Sequence, residues 1–168
     1  DGIGLFRSEL LFLNGAKAPT EEEQFEAYRH AAEAMEGRET VIRTMDIGSD
    51  KHAVWLEMPK EINPALGLRG LRVSLEHREL FRTQLRALLR AAVYGNIRIM
   101  IPMIASDWEL DEVLRKMQTA ALELEQRREQ YRIPEIGVMI ETPAAVMIAP
   151  ALAEKARFFS IGTNDLTQ

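Results

Sequence analysis

Two spacings of apolar residues alternate along the chain. Short, almost continuously apolar runs occupy 2–6 (GIGLF), 41–47 (VIRTMDI), 98–104 (RIMIPMI), 135–140 (EIGVMI) and 157–162 (RFFSIG). Strands covered on both faces read this way, because neither face meets water. The segments between them carry apolar residues every three or four positions, the period of a helix with one buried face. Segment 19–37 has Thr20 placed to cap and Glu23 three residues on, the reciprocal arrangement that satisfies free amides at a helix start. Its apolar face is Phe25, Tyr28, Ala32 and Met35, and Gly37 supplies the stop. Segment 106–126 repeats the device with Ser106 and Glu109, and its face is Leu110, Val113, Leu114, Met117, Ala121 and Leu124. Segment 79–95 offers Phe81, Leu85, Leu88, Leu89 and Ala92 before Gly95. Pro143 suits a first helical position, where its missing N–H is no loss. Pro150 lies further into the same stretch and is expected to kink or restart the helix.

Strand alternating with helix predicts crossover units, a parallel sheet and an α/β fold. Five strands are visible. A doubly wound sheet is one possibility and part of a (β/α)8 barrel, which takes ~250 residues when whole, is the other; the pattern leaves both open. In either, working residues lie at the carboxyl ends of strands and in the loops that follow. Those positions hold Arg7; then Arg43 with Asp46, Asp50 and Lys51; then Glu141; then Thr163, Asn164 and Asp165. A long excursion, 61–72, adds Arg69.

Composition narrows the function classes. The 168 residues are about one domain, 46% hydrophobic and 28% charged. A net charge of −5 argues against nucleic-acid or anionic-membrane partners, which demand a basic surface. The chain has no cysteine, so neither disulfides nor thiolate metal sites arise within it, which fits a reducing cytoplasm. No apolar run approaches the ~20 residues of a membrane span, and no glycine-rich phosphate loop is present. Both ends read as cut, so a fragment of a larger protein is expected. His30, His52 and His77 read as surface residues, the eight methionines as core, and Arg82, Arg86, Arg90, Arg127 and Arg128 as solvated helix faces.

Glu141 and Asp165 are suitable ligands for a hard cation such as Mg2+, which takes one or two protein carboxylates plus substrate oxygens. Arginines at neighbouring strand ends suit a ligand bearing phosphate and carboxylate, which guanidinium binds bidentately. Mg2+, arginines and an amide donor together serve phosphoryl transfer, whose catalysis is positioning and charge stabilisation. The plain alternative is that GTND (162–165) and NPALG (63–67) are turns and the arginines are ion-paired.

The stretches GIGLFRSELLF, IRTMDIGSDK, NPALGLRGLR, IRIMIPMI, IGVMIETPAA and FFSIGTNDLTQ resemble, in that order, the phosphoenolpyruvate-protein phosphotransferases, enzyme I of the bacterial sugar phosphotransferase system. The resemblance runs over essentially the whole chain. It implies a (β/α)8 barrel, here five strands of it, that binds phosphoenolpyruvate and Mg2+ in the cytoplasm. It also implies transfer of the phosphoryl group to a histidine on a separate N-terminal domain, then to a small histidine-containing phosphocarrier protein. By motif, Arg7 and Arg43 match phosphoenolpyruvate-binding arginines, with Arg69 an arginine of the same site. Asn164 matches a substrate-contacting asparagine, and Glu141 and Asp165 match magnesium ligands. Lys51 is a motif residue without an assigned role. The phosphoacceptor histidine, the proton-donor cysteine and the remaining strands are expected outside these residues, and a homodimer is expected of the full-length protein. Alone, the segment is expected to be inactive, to expose two sheet edges and to bind phosphoenolpyruvate weakly. The related pyruvate phosphate dikinases and phosphoenolpyruvate synthases share the arginine, NPxLGxRG and TNDL elements and are an alternative, as is a non-catalytic regulatory relative. The chain departs from the pattern at Ser8, where Thr is usual but the hydroxyl is kept, and at Ser49, where Gly is usual. Ser49 matters only if its φ must be positive.

Overall fold

The computed structural model describes residues 1–13, 15–49, 53–59, 61–64 and 67–167. Asp50, Lys51, His52 and part of the NPALG stretch lie outside the described residues. Five strands, β1 (Ile3–Arg7), β2 (Thr40–Arg43), β3 (Ile97–Ile101), β4 (Ile136–Ile140) and β5 (Phe158–Ile161), form one sheet. Every neighbouring pair is parallel, and the order is β1-β2-β3-β4-β5. A doubly wound sheet reverses its strand order at a switch point; this one never does. Strands added always on the same side, with helices outside, make the half-barrel of a (β/α)8 fold.

The helices are α1 (Glu9–Leu13), α2 (Glu21–Ala34), α3 (Leu71–Glu76), α4 (Arg78–Ala91), α5 (Asp107–Gln126), α6 (Pro143–Met147), α7 (Ala149–Ala153) and α8 (Thr163–Leu166). The capping box at α2 is made: the Glu23 amide donates to Thr20 Oγ1 at 3.2 Å, and the Thr20 amide donates to Glu23 Oε2 at 2.7 Å. At α5, Glu109 accepts from the amides of Ser106 and Ala105. Pro150 restarts the helix as expected, separating α6 from α7 at Ile148.

Three apolar layers result. The largest lies between the outer sheet face (Ile42, Ile97, Ile99, Ile136, Val138) and α2, α4 and α5. Inside the curve of the sheet, Val41, Met100 and Met139 pack together with Phe158 against them. A third, around Phe12, Met45, Ile47, Leu56 and Val73, sits under the long excursion after β2. Because side chains alternate along a strand, Arg43 shares the inner face with Val41, two residues nearer the carboxyl end.

Several expectations fail here: Met147, expected in the core with the other methionines, is 82% exposed, and the strand expected over 98–104 ends at Ile101. The strand expected over 41–47 ends at Arg43, with one last sheet-type bond from the Thr44 amide to the Met100 carbonyl at 3.0 Å, and residues 45–47 leave the ladder while staying buried. Apolar character marks burial, and burial here outlasts the strand. Arg86 is no solvated side chain: it is 7% exposed, clamped by Glu21 at 2.6 Å and Glu123 at 2.7 Å. Packing α2, α4 and α5 side by side gathers these three residues, which no single helix's periodicity reveals.

Candidate functional site

The parallel register places Arg7 directly beside Arg43 at the ends of β1 and β2. Of these two cations Arg43 is matched by anions, Glu9 from the start of α1 and Asp46 from the segment after β2. Arg43, 5% exposed, donates from Nη2 to Glu9 Oε1 at 2.5 Å and meets Asp46 Oδ2 at 3.1 Å. Asp46 is shared. Arg69 grips it bidentately, Nε to Oδ1 at 3.1 Å and Nη2 to Oδ2 at 3.2 Å. Arg69 Nη1 also lies 3.4 Å from Asp165 Oδ1. A chain of alternating charge, Glu9–Arg43–Asp46–Arg69–Asp165, therefore crosses the carboxyl ends of the strands. Arg7 differs, being exposed and without an ion pair among the described residues.

The excursion reaches this site by folding back on itself. Gly48 bridges Arg69, and the Gly70 amide donates to the Ile47 carbonyl at 3.0 Å. Gly70 has a φ of +57°, and a Cβ there would meet Met103 Cγ at 2.8 Å and Asp46 Oδ1 at 3.1 Å. Only glycine allows Arg69 to turn onto Asp46 this closely. Ser49 keeps a negative φ and is no obstacle to its loop.

Glu141, 2% exposed and directly following β4, carries a strongly perturbed carboxyl group. Burial pushes its pKa up to about 7, and the charges of Asp46 and Asp165 add to this. The Met103 amide, donating to Oε1 at 2.7 Å, and Arg43 act in the opposite sense. Met103 holds a φ of +59°, rare for a side chain without local polar compensation, and that turn aims its N–H at Glu141. Thr142 closes the same corner, donating to the Ile104 carbonyl at 2.7 Å and accepting the Ala145 amide at 3.0 Å.

Gly162, between β5 and α8, lets Glu141 lie against the backbone. A Cβ at 162 would sit 2.6 Å from Glu141 Cβ and 2.8 Å from Oε2. Gly162→Ala is therefore expected to displace the Glu141 carboxylate at a cost of about 1–3 kcal/mol. Its unfolding midpoint should fall accordingly, and a variant of unchanged stability would refute the close approach. Beyond Gly162, the GTND stretch is a single helical turn, with Asn164 exposed and Asp165 facing Arg69.

Arg43, Arg69, Glu141 and Asp165 are thus brought together, Arg7 joins them through the register, and Asn164 stands at the rim on α8. Lys51 lies outside the described residues. Reasoning from sequence passed over Glu9 and left Asp46 without a role. The signal for both was an acidic residue two or three positions after a strand-end arginine. Met103 gave none, since its contribution is a backbone angle.

The donor set fits a divalent cation. A buried carboxyl group held in place with one oxygen unengaged by Met103, and repelled by two further carboxylates, is stabilised by a cation beside it. Among the described residues no group of three or more His, Asp or Glu forms a ready cage. Mg2+, which draws much of its shell from substrate and water, requires none.

Comparison with known proteins places the chain. The profile of the PEP-utilising enzymes, PEP-binding domain, matches residues 1–168, and the chain belongs to that family. Among individual proteins it is similar to the phosphoenolpyruvate-protein phosphotransferase of Haemophilus influenzae, 51% identical over all of this chain and 29% of the relative. It is also similar to those of Geobacillus stearothermophilus, at 49% over all of this chain and 29% of the relative, and Bacillus subtilis, at 46% over all of it and 30%. The chain thus spans about three tenths of the length of these relatives.

Proposed function

We propose that these residues form part of the phosphoenolpyruvate site of a phosphotransferase, and that Glu141 and Asp165 hold Mg2+ there. The observation that carries the reading is the pairing of two in-register strand-end arginines with a buried carboxylate cluster in a PEP-binding domain. Arg7 is exposed and available for an anionic ligand, while Arg43 is fixed by Glu9 and Asp46 so that its remaining donors have one orientation. Arg69 holds Asp165 towards the same place, and Asn164 offers an amide donor from α8. The metal, when bound, would neutralise charge on the transferring phosphoryl group.

In the proposed reaction the bond between phosphorus and the enol oxygen breaks, and a bond from phosphorus to a histidine nitrogen forms. The enolate left behind takes a proton to become pyruvate. The histidine and the proton donor, a cysteine, are proposed to lie outside these residues, as are contacts with a histidine-containing phosphocarrier protein and the homodimer interface. Phosphotransferase names among the relatives favour this reading over a dikinase. No helix among the described residues is long and apolar enough to cross a membrane, and a cytoplasmic location belongs to the same proposal.

Calorimetry on the intact protein tests it. Phosphoenolpyruvate should bind in the presence of Mg2+, Arg7→Ala should weaken binding at least tenfold, and Glu141→Ala should abolish its dependence on Mg2+. Binding that is indifferent to both substitutions would overturn the assignment.

A further inference from the structure

Behind the site, in the helical layer, a neutral side chain joins the two arginine-bearing strand ends. Gln84 of α4 is 1% exposed and uses both ends of its amide. Its Oε1 accepts the Met45 amide at 3.0 Å, while Nε2 donates to Ser8 Oγ at 3.1 Å and to Tyr28 Oη at 3.0 Å. The orientation is forced, since a backbone N–H can only donate and so must face the amide oxygen. Tyr28 donates onward to Gln24 Oε1 at 3.2 Å, and Gln24 donates to the Pro19 carbonyl at 3.1 Å. Burial raises the Tyr28 pKa further above its already high ordinary value, so the phenol stays a protonated donor.

The two strand-end arms are set by position. Ser8 directly follows Arg7, and Met45 stands between Arg43 and Asp46, just where the chain has left the β2 ladder. The Thr44 amide makes the last sheet-type bond, to the Met100 carbonyl at 3.0 Å, and residues 45–47 leave the ladder while remaining buried, so the Met45 amide needs an acceptor outside the sheet. For Met45 that acceptor is Gln84. The same amide group therefore holds the residue after Arg7 and the residue before Asp46.

We propose that Gln84 is a positioning residue: it fixes the spacing of Arg7 and Arg43 and the placement of Asp46, and through them the affinity for the phosphorylated substrate. This rests on the phosphoenolpyruvate reading above, but part of its test does not. Gln84→Met keeps the length of the side chain and removes all three hydrogen bonds. In the intact protein it should speed hydrogen exchange of the Met45 amide at least tenfold and weaken Mg2+-dependent phosphoenolpyruvate binding about tenfold. Tyr28→Phe is the control for stability alone. It removes a buried hydroxyl but leaves Gln84 bonded to Ser8 and Met45, so affinity should stay at the wild-type value although the protein is less stable. Should Gln84→Met not fold, Ser8→Ala cuts only the β1 arm and should weaken binding about threefold with the Met45 amide still protected. Wild-type affinity in Gln84→Met, or in Ser8→Ala, would overturn the proposal, and so would equal losses in Gln84→Met and Tyr28→Phe. Failure of the wild type to bind phosphoenolpyruvate would defeat the functional reading instead, and unchanged Met45 exchange in Gln84→Met would defeat the bracket by itself.

Discussion

Glu141→Gln is expected to raise the stability of the metal-free protein at pH 8 and to leave it unchanged near pH 4. The Glu141 pKa is raised from an ordinary 4.5 to about 7. Below the lower value the carboxyl is neutral in folded and unfolded chains alike, and it contributes nothing. Between the two values the unfolded chain ionises first, so stability falls as pH rises. Above pH 7 the full penalty remains, on the order of 3 kcal/mol for a shift of this size. Glutamine carries no charge and removes it, which for a domain of this length is a rise of roughly 6–12 °C in the melting temperature. It keeps an acceptor for the Met103 amide. The same substitution removes a proposed metal ligand, so Mg2+ should stabilise the wild type and not the variant. Thermal unfolding at both pH values, with and without Mg2+, reads all of this. A variant no more stable than wild type at pH 8 would show that Glu141 is not penalised by its surroundings.

Arg43→Met is expected to be the most destabilising substitution of the site. Arg43 lies between Glu9 at 2.5 Å and Asp46 at 3.1 Å, and all three are nearly inaccessible to water. Methionine fills much of the same volume, so the loss is electrostatic rather than a cavity. Taking one partner from a buried ion-pair cluster costs about 3–5 kcal/mol, because the charges left behind have been removed from water without return. Denaturant titration should show the midpoint fall, and phosphoenolpyruvate binding should drop at least a hundredfold. Adding Glu9→Gln to the variant should recover part of the stability, since it deletes one of the stranded charges. A loss below about 1 kcal/mol for Arg43→Met would mean that the cluster is solvated and its geometry incidental.

The two predictions pull in opposite directions at residues whose fields overlap, which is characteristic of a site shaped for a ligand. Arg43 is over-supplied with anions, while Glu141 is short of a cation. A bound cation would offset both imbalances, at the expense of stability in its absence.

Much of this was legible in the chain. Apolar runs marked five strands, each found within a few residues of its expected place: β2, β3 and β4 are covered on both faces as their sequence implied, whereas the edge strands β1 and β5 carry the same pattern although partly exposed. The Thr20 and Glu23 cap, the faces of α2, α4 and α5, and the restart at Pro150 follow from contacts within a few residues, where sequence spacing is spatial spacing. The motifs at the strand ends announced the family, while the phosphate and cation chemistry read from the same residue types stands as the proposal made above.

Tertiary structure alone decided the rest. Strand order is a matter of which backbone pairs with which, so only the assembled sheet separates a half-barrel from a doubly wound fold. The short helices α1 and α3 carry too few turns to show a period. Arg86 reads as a solvated cation until Glu21 and Glu123 arrive from two other helices. Asp46 becomes the shared anion of Arg43 and Arg69, and Gln84 the bracket behind them, only when segments 23 and 39 residues apart in the chain are brought into contact. A sequence states which groups are present and how near neighbours are arranged. Which distant charges share a low-dielectric space, and so what each pKa and ion pair becomes, is set by the packing that excludes water around them.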